Sequence, residues 1–376
     1  MSFNHTHYVP CLRWKQGEYQ AVWRLRDTTK RMFTPLVEIP ELGWDFEEEK
    51  EKKTIDQLLT DFALKKIYKK WGSSPCFVDL NLIPPAKRMK NGVHPIRSIF
   101  NDLRWLGCQA IPVTGLLRDG EYQQEIKTVS DKDKSGVCLR ITIEQAAKGL
   151  FKTGIDSLLA TLTIQSTNCD LILDLGAPNF IPLEGFSKAI QTIVSSFPYL
   201  DDWRTFTILG TSFPETMAVV KKGGEILPRY EWKLYKRLVV DLKKAELRLP
   251  TFGDYAISHP KVLELDMRKA NPSATIRYTI DDGWYIVKGE KVKKDKKYEG
   301  EKVEDKKYGF EQYRDLSKSV INSKYYFGPT FSWGDDYIQK CANKESSTGK
   351  LMTWRQVGTN HHIVKVTQDI ASSYAS

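Results

Sequence analysis

The chain repeats one pattern of hydrophobic and polar positions eight times. Each cycle opens with a short apolar, often β-branched run, continues through a polar turn, and ends in an amphipathic stretch with helical spacing. In the second cycle TPLVEIP precedes TIDQLLTDFALKKIYKKWG, where Leu58, Leu59, Phe62, Ile67 and Tyr68 recur at helical spacing. The apolar runs occupy residues 8–14, 34–40, 75–83, 109–116, 137–144, 169–176, 205–214 and 251–258.

Eight strand–helix cycles predict an α/β fold, a closed (β/α)8 TIM-like barrel. The predicted strands are apolar on both faces, as parallel strands covered by helices are. An open doubly wound sheet is the alternative. That fold often carries a glycine-rich turn after its first strand, whereas WKQGEYQ holds a single glycine. We therefore expect residues 1–376 to form one barrel domain.

The pattern changes after the eighth cycle. The segment TIRYTIDDGWYIVKG alternates like a β-hairpin, and DDG suits its turn. We predict an inserted basic hairpin over residues 275–309 that stands at the barrel mouth as a lid. Its lysines, Lys293, Lys294, Lys296 and Lys297, are either solvated or contact phosphates. Residues 327–376 are expected to close the barrel at the C-terminus.

Composition and net charge indicate which classes of partner the protein would bind. The net charge is +10 and the pI is near 9.1, which favours an acidic partner such as nucleic acid, a nucleotide or an acidic protein. No apolar run is long enough for a transmembrane helix, and MSFNHTHYVP lacks the layout of a signal peptide. Four of the six cysteines, Cys11, Cys76, Cys138 and Cys169, lie in or beside apolar runs without CxxC pairs, as reduced structural thiols do. We expect a cytoplasmic protein without membrane contact.

Polar residues at the strand ends are the candidates for chemistry, because barrel enzymes build their sites there. The catalytic candidates are Glu38, Asp79, Asp174 and Asp254. The binding candidates are Lys15, Glu18, Asn81, Arg140, Glu144, Thr211, Ser212, Asp281, Asp282 and Trp284. The carboxylates suit Mg²⁺ or Mn²⁺, although no motif requires a cofactor. GTSFP offers free amides for a phosphate. The structural alternative is an internal salt bridge of Arg140 with Glu144 or Asp174.

The C-terminal segment adds a second group of candidates. It contains Trp333, Asp335, Trp354, Asn360 and the adjacent pair His361 and His362. Neighbouring side chains point in different directions in a strand and in a helix. We therefore expect no zinc site that uses both histidines. Either they are packed histidines that bind backbone carbonyls and fix the C-terminus, or one of them reaches the barrel mouth with Trp354 and Asn360. We expect one to pack inward and the other outward, so that His361→Ala and His362→Ala have unequal effects.

Several segments in combination resemble the phage beta family of proteins. They are YVPCLRWKQGEYQAVWRL, IDDGWYIVKGE, FSWGDDYI and TWRQVGTNHHI, and the resemblance spans Tyr8 to about Ile370. It implies a role in phage–host conflict, in a setting similar to a satellite-phage cassette with a toxic protein and a small regulator. Protein partners from that cassette are implied as well. The resemblance assigns no reaction and no catalytic residue.

Three functions follow from these observations. The first is an antiphage component whose barrel mouth binds a phage protein, a partner protein or nucleic acid and thereby controls an effector. The second is a metal-dependent phosphoesterase or nuclease with an acidic mouth. The third is a glycosidase-like carboxylate pair, Glu38 with Glu144 or Asp174, for which the charge balance offers no support.

Overall fold

The computed structural model describes residues 2–148, 151–261, 272–292, 296–298, 301–303 and 309–374. Its strands are β1 (Tyr8–Leu12), β2 (Leu36–Glu38), β3 (Trp44–Asp45), β4 (Lys50–Glu51), β5 (Cys76–Asp79), β6 (Ala110–Thr114), β7 (Val137–Thr142), β8 (Cys169–Asp174), β9 (Thr205–Gly210), β10 (Gly223–Pro228), β11 (Thr251–Asp254), β12 (Ser273–Ile280), β13 (Gly283–Lys291), β14 (Lys296–Tyr298) and β15 (Glu301–Val303). Eight of them, β1, β2, β5, β6, β7, β8, β9 and β11, pair in parallel and close a barrel. The predicted (β/α)8 architecture is confirmed.

Helices surround this barrel. They are α1 (Gln16–Trp23), α2 (Asp27–Lys30), α3 (Ile55–Leu59), α4 (Lys69–Trp71), α5 (Pro95–Trp105), α6 (Gly120–Asp133), α7 (Ile143–Ala146), α8 (Phe151–Leu162), α9 (Leu183–Ser195), α10 (Tyr230–Lys244), α11 (Gln312–Ile321), α12 (Trp333–Ala342) and α13 (Leu351–Tyr374). A π-helical segment, Phe62–Tyr68, precedes α4. Among the described residues, no helix is both long and apolar enough to cross a membrane.

Side chains of the barrel strands alternate between the lumen and the helices. The lumen is filled by a small apolar cluster that includes Val9, Leu36, Phe77 and Ile172, while the alternate positions pack under the helices. Register places Glu38 opposite Asp79, at the C-terminal end of the lumen. A dry apolar lumen below and polar strand ends above therefore define one chemically distinct end, the mouth.

The predicted hairpin is present as β12 and β13, with its turn at Asp281 and Asp282. The sequence did not predict β10, which pairs antiparallel with β13 and completes a three-stranded sheet. This sheet packs on the loops that follow β9 and β11, where Phe213 and Ile257 meet Trp284. The side chains of the expected lysine arm lie outside the described residues.

The C-terminal closure is the 24-residue helix α13. It lies between α1 and α10 against β1 and β11, in the position of the eighth barrel helix. Two glycines permit this packing: a Cβ on Gly17 would lie 2.4 Å from Arg355 Cγ, and one on Gly358 would lie 2.9 Å from the Arg277 carbonyl oxygen. Because α13 is covered on several sides, it lacks the amphipathic pattern that would have identified it as a helix.

Candidate functional site

Four barrel strands bring charged side chains to the mouth end of the lumen. Glu38 ends β2, Asp79 ends β5, Arg140 lies near the end of β7 and Asp174 ends β8. Tyr255, directly after β11, points into the same space. These five residues are called the inner cluster. They are buried, and the Arg140 side chain is 8% exposed.

Arg140 is the centre of the inner cluster. Its Nη1 lies 2.7 Å from Glu38 Oε1 and 2.9 Å from Asp79 Oδ2, and its Nη2 lies 2.8 Å from Asp174 Oδ2. Nη2 also donates to the Tyr255 hydroxyl at 2.9 Å. Burial by itself lowers the pKa of Arg140, but Tyr255 and the carboxylates outweigh it and raise that pKa. The predicted internal pairing of Arg140 with Asp174 is therefore present.

The carboxylates of the inner cluster have further partners. Asp79 Oδ1 accepts hydrogen bonds from Arg118 Nη2 and from the backbone N–H of Asn81, both at 2.9 Å. Asp174 Oδ1 accepts from the Gly176 N–H and from Tyr255. Within the described residues, no group of three or more His, Cys, Asp or Glu side chains has the geometry of a metal site. A cation here would have to displace Arg140 from its carboxylates.

A small pocket lies at the rim of the mouth, where the loops after β1, β9 and β11 meet the start of α13. This rim pocket has a volume of about 220 Å³. Its charged lining comprises Arg13, Lys15, Glu18, Glu215, Lys261 and Arg355. Lys15 and Glu18, both predicted as binding residues, therefore meet here with cations that the sequence analysis did not single out.

Backbone carbonyls hold two arginines in the rim pocket. Arg13 donates through Nη2 to the carbonyl oxygens of His259, at 3.0 Å, and Pro260. Arg355 donates through Nη1 to the Ile257 carbonyl oxygen at 2.7 Å. Burial raises the pKa of Glu18, although Arg355 and Arg13 oppose that shift. In this pocket Lys261 pairs with Glu215 at 2.9 Å, and Lys15 pairs with Glu41 outside it, which leaves Glu18 as the carboxylate near both arginines.

Arg277 on β12 lies beside the rim pocket. Its guanidinium carbon is 5.5 Å from the centre of the Phe213 ring, and its Nε is buried without a hydrogen-bond partner. Among the described residues, no side chain or carbonyl accepts a hydrogen bond from this guanidinium, and none forms an ion pair with it. Burial, followed by repulsion from Arg355, lowers the pKa of Arg277 to about 9.

A larger groove adjoins the rim pocket on the side of the β3–β4 hairpin. This aromatic groove has a volume of about 540 Å³ and shares Lys15 with the rim pocket. Trp44 and Phe46 on its wall are 37% and 38% exposed. The remaining aromatic and charged residues of its lining are Trp14, Tyr19, Glu41, Lys52, Lys53 and Lys66. The groove therefore combines accessible rings with an excess of positive charge.

The fold and these features agree with a comparison of the whole sequence with protein families. A family model described as Beta protein matches residues 8–368. The chain belongs to the Beta protein family. This family is associated with phages, as the resemblance in the sequence implied. A comparison with curated proteins gives no match.

In this Beta protein, Asp254 lies elsewhere than expected. It was predicted at the mouth, but its side chain points out of the barrel toward α13, because the alternation of β11 places Tyr255 inward instead. Asp254 Oδ2 is 2.9 Å from His362 Nε2, and Oδ1 accepts from the Tyr8 hydroxyl at 2.5 Å. Arg229 Nη2 lies 3.8 Å from the same Asp254 Oδ2. Asp254 therefore joins α13 to the barrel wall.

The two histidines face different neighbours, as adjacent residues of a helix do. His361 Nδ1 lies 2.8 Å from Asp335 Oδ2, and its ring stacks on Tyr278 at 3.9 Å. Both histidines are fully buried, and neither reaches the mouth. Of the two alternatives the structure shows the packed one, since His361 Nε2 lies 2.7 Å from the Thr279 carbonyl oxygen. The expectation that one histidine points outward is wrong, because α13 carries both beneath the β12–β13 sheet.

Trp354 and Asn360 also stabilise this packing instead of the mouth. Trp354 stacks on Tyr313 with ring centres 4.4 Å apart, and Asn360 Nδ2 donates to the Ala21 carbonyl oxygen. Trp333 lies under the guanidinium of Arg24, 4.2 Å from it. On α13 the residue that does reach the mouth is the neighbour of Trp354, Arg355.

The amides of GTSFP are not free for a phosphate, contrary to expectation. The Thr211 N–H donates to the Gly176 carbonyl, the Ser212 N–H to Glu231 Oε2, and the Phe213 N–H to Thr211 Oγ1. The reason is that α10 does not follow at once, since β10 intervenes and Glu231 folds back on this turn.

Four other binding candidates lie apart from the inner cluster. Glu144 is exposed at the start of α7, so Arg140 pairs with Asp174 rather than with it. Asp281 and Asp282 at the hairpin turn pair with Lys365 and Lys236. Trp284 is buried under the sheet.

Sequence reasoning missed most of the rim residues. Arg13 and Tyr255 carried a usable signal, because each continues the inward alternation of its strand by one residue. Arg277 sits in TIRYTI, on the face opposite to the apolar residues of β12. Arg355 gave no local signal, since only the path of α13 brings it to the mouth.

Proposed function

We propose that this protein is a cytoplasmic component of phage–host conflict that binds single-stranded nucleic acid across its barrel mouth and thereby controls a protein effector. The observation that carries the proposal is the aromatic groove. Exposed rings border it, and its lining holds four lysines against one glutamate. The net charge of +10 adds to the attraction for a polyanion.

Single strands suit this groove better than duplexes. Unpaired bases stack on aromatic side chains, each stack contributing about 1–3 kcal/mol, while lysines follow the backbone phosphates. Trp44 and Phe46 provide the rings, and Lys52 and Lys53 lie beside them. The acidic turn of the β3–β4 hairpin, Glu47–Glu49, does not line the groove. This arrangement suits a single strand, because bases can stack on the accessible rings while the lysines contact the phosphates.

The metal-dependent phosphoesterase has less support. Its candidate carboxylates are held by Arg140, Arg118 and backbone amides, and Asp254 points away from the mouth. A divalent cation needs several oxygen ligands that are free to coordinate it. The inner cluster is better explained as a set of buried ion pairs that fixes the shape of the mouth.

Binding is tested with a fluorescent single-stranded oligonucleotide, DNA and RNA in parallel, over a range of salt concentrations. We expect Lys52→Glu/Lys53→Glu to weaken binding and to reduce the salt slope by about one to two. Trp44→Ala should weaken binding without changing the slope. The matched control is Lys132→Glu/Lys134→Glu, which makes the same charge change at the opposite end of the barrel.

Two results would contradict the proposal. One is an equal loss of affinity in the groove and control variants, which would indicate a non-specific response to net charge. The other is turnover of the oligonucleotide with Mg²⁺ or Mn²⁺ that Asp79→Asn/Asp174→Asn abolishes, which would establish the phosphoesterase. The role in conflict is tested by phage plating: Trp44→Ala should lose protection, and the control should keep it.

A further inference from the structure

The rim pocket has cations that are placed for a ligand rather than for the protein. Arg13 and Arg355 are each anchored through one nitrogen to carbonyl oxygens. Their other N–H groups have no hydrogen-bond acceptor within the described part of the chain. An arginine fixed in this way has lost its conformational freedom before a ligand arrives, and its free edge presents parallel donors to an oxyanion.

The packing around Arg355 maintains this arrangement. Its Cγ lies against Gly17 so closely that a Cβ there would come within 2.4 Å. Arg277 and Ile257 both lie against Gly358, where an added Cβ would come within 2.9 Å of the Arg277 carbonyl oxygen and 2.8 Å of Ile257 Cδ1. Arg13, directly after β1, and Arg355 on α13 thus share the rim pocket with one buried carboxylate, Glu18, and both lie close enough to lower its pKa.

Arg277 is the most informative of the three. Its charge sits against Phe213 and near Arg355 without a counter-ion in the described residues, which is an unfavourable state for a partly buried guanidinium. Its pKa is lowered to about 9 by burial and then by Arg355, in keeping with the missing negative charge nearby. An anion between Arg277 and Arg355 would relieve both the desolvation and the repulsion.

We propose that the rim pocket binds the terminal phosphate of a nucleoside phosphate, with Arg13 and Arg355 as its ligands and Arg277 as a neighbouring positive charge. At about 220 Å³ the rim pocket has less than half the volume of the aromatic groove, which suits the end of a strand better than its continuation. Lys15 lines both the pocket and the aromatic groove. A strand stacked in the groove would therefore place its end in the pocket. This inference rests on the proposed nucleic-acid function, and a free nucleotide presents the same chemistry.

The test compares internally labelled oligonucleotides that end in 5′-phosphate, 3′-phosphate or hydroxyl groups only. One phosphorylated form should bind about tenfold more tightly than the hydroxyl form, equivalent to ~1.4 kcal/mol. Arg277→Met and Arg355→Gln should each abolish this preference while the hydroxyl form still binds. Arg31→Met, an exposed arginine before β2, is the control that should retain it. Thermal unfolding monitors whether each variant is folded.

Each outcome separates this inference from the proposed function. Equal affinity for phosphorylated and hydroxyl ends overturns the inference and leaves groove binding intact. A preference that survives both Arg277→Met and Arg355→Gln also overturns it. If no oligonucleotide binds but AMP, unlike adenosine, stabilises the protein against heat, the pocket serves a free nucleotide and the proposed strand function is wrong. If neither oligonucleotide nor AMP binds, both proposals fail.

Discussion

Arg140 and Arg277 show two opposite uses of a buried arginine within one barrel. Arg140 in the inner cluster contacts three carboxylates and a tyrosine hydroxyl, all within 2.9 Å. Arg277, beside the rim pocket, has a phenylalanine ring at 5.5 Å and a second arginine nearby. The first is complete without a ligand, whereas no counter-ion for the second lies in the described part of the chain. Both arginines lie at the barrel mouth, so position alone does not distinguish a structural arginine from a ligand-binding one. The partners of each guanidinium do.

The largest expected effect comes from removing the satisfied arginine. Arg140→Met leaves Glu38, Asp79 and Asp174 buried together without their shared cation. Breaking a buried ion pair from one side typically costs about 3–5 kcal/mol, so we expect a loss of that size in the free energy of unfolding. Urea denaturation measures it, with exposed Arg31→Met as the reference. A loss below about 1 kcal/mol would mean that the inner cluster does not hold the mouth together.

Protonation of a buried histidine should also lower the stability of the fold. His362 is fully buried between Asp254 and Thr279, and burial lowers its pKa below 6.5. The folded protein therefore keeps His362 neutral where the unfolded chain takes up a proton. Stability contributed by this group is present above pH 6.5 and declines as the pH falls below it, by up to ~1.4 kcal/mol per pH unit.

Replacing His362 by Gln isolates this contribution. The charged or titratable groups around the ring are Asp254, Arg229 and His361, and all of them stay in the variant. We expect His362→Gln to be less stable at neutral pH and to lose less stability between about pH 7 and pH 5.5. Urea denaturation of both proteins across this interval gives the two slopes. Parallel slopes would show that His362 is not the group that titrates.

A milder change tests a single neutral partner in the inner cluster. The Tyr255 hydroxyl donates to Asp174 and accepts from Arg140. Tyr255→Phe removes these hydrogen bonds and keeps the ring, and we expect a loss of about 1–2 kcal/mol. The reference variant is Tyr285→Phe, because Tyr285 is partly exposed. We expect this variant to change the free energy of unfolding by less than about 0.5 kcal/mol. Equal losses would mean that the hydroxyl adds nothing specific to the inner cluster.

The sequence predicted the barrel well because each strand–helix cycle is local. All eight apolar runs contain a barrel strand, and the β12–β13 hairpin follows from the alternation in TIRYTIDDGWYIVKG. Helix α13 was harder to predict, since its polar residues, including Asn360, His361 and His362, are buried by partners more than 20 residues away.

The candidate site likewise has one part that the sequence predicted and another that it did not. Glu38, Asp79, Arg140 and Asp174 could be grouped, because parallel strands end at one mouth and each residue lies at an inward position. Asp254 was misplaced by a one-residue shift in that alternation. The convergence of Arg277 and Arg355 could not be predicted, as it depends on how the β12–β13 sheet and α13 meet over the barrel.

The smallest expected effect on stability has the opposite sign. Arg277→Met removes a charge that has no partner among the described residues and keeps an apolar contact with Phe213. The folded state then no longer bears the cost of desolvating that charge and loses little attraction. We expect the free energy of unfolding to stay unchanged or to rise by up to about 1 kcal/mol, measured by urea denaturation beside Arg140→Met. The same variant should lose its preference for a terminal phosphate. Better folding together with weaker phosphate binding is the pattern of a residue kept for its ligand. A loss of several kcal/mol would instead place Arg277 with Arg140, as a charge that the fold itself requires.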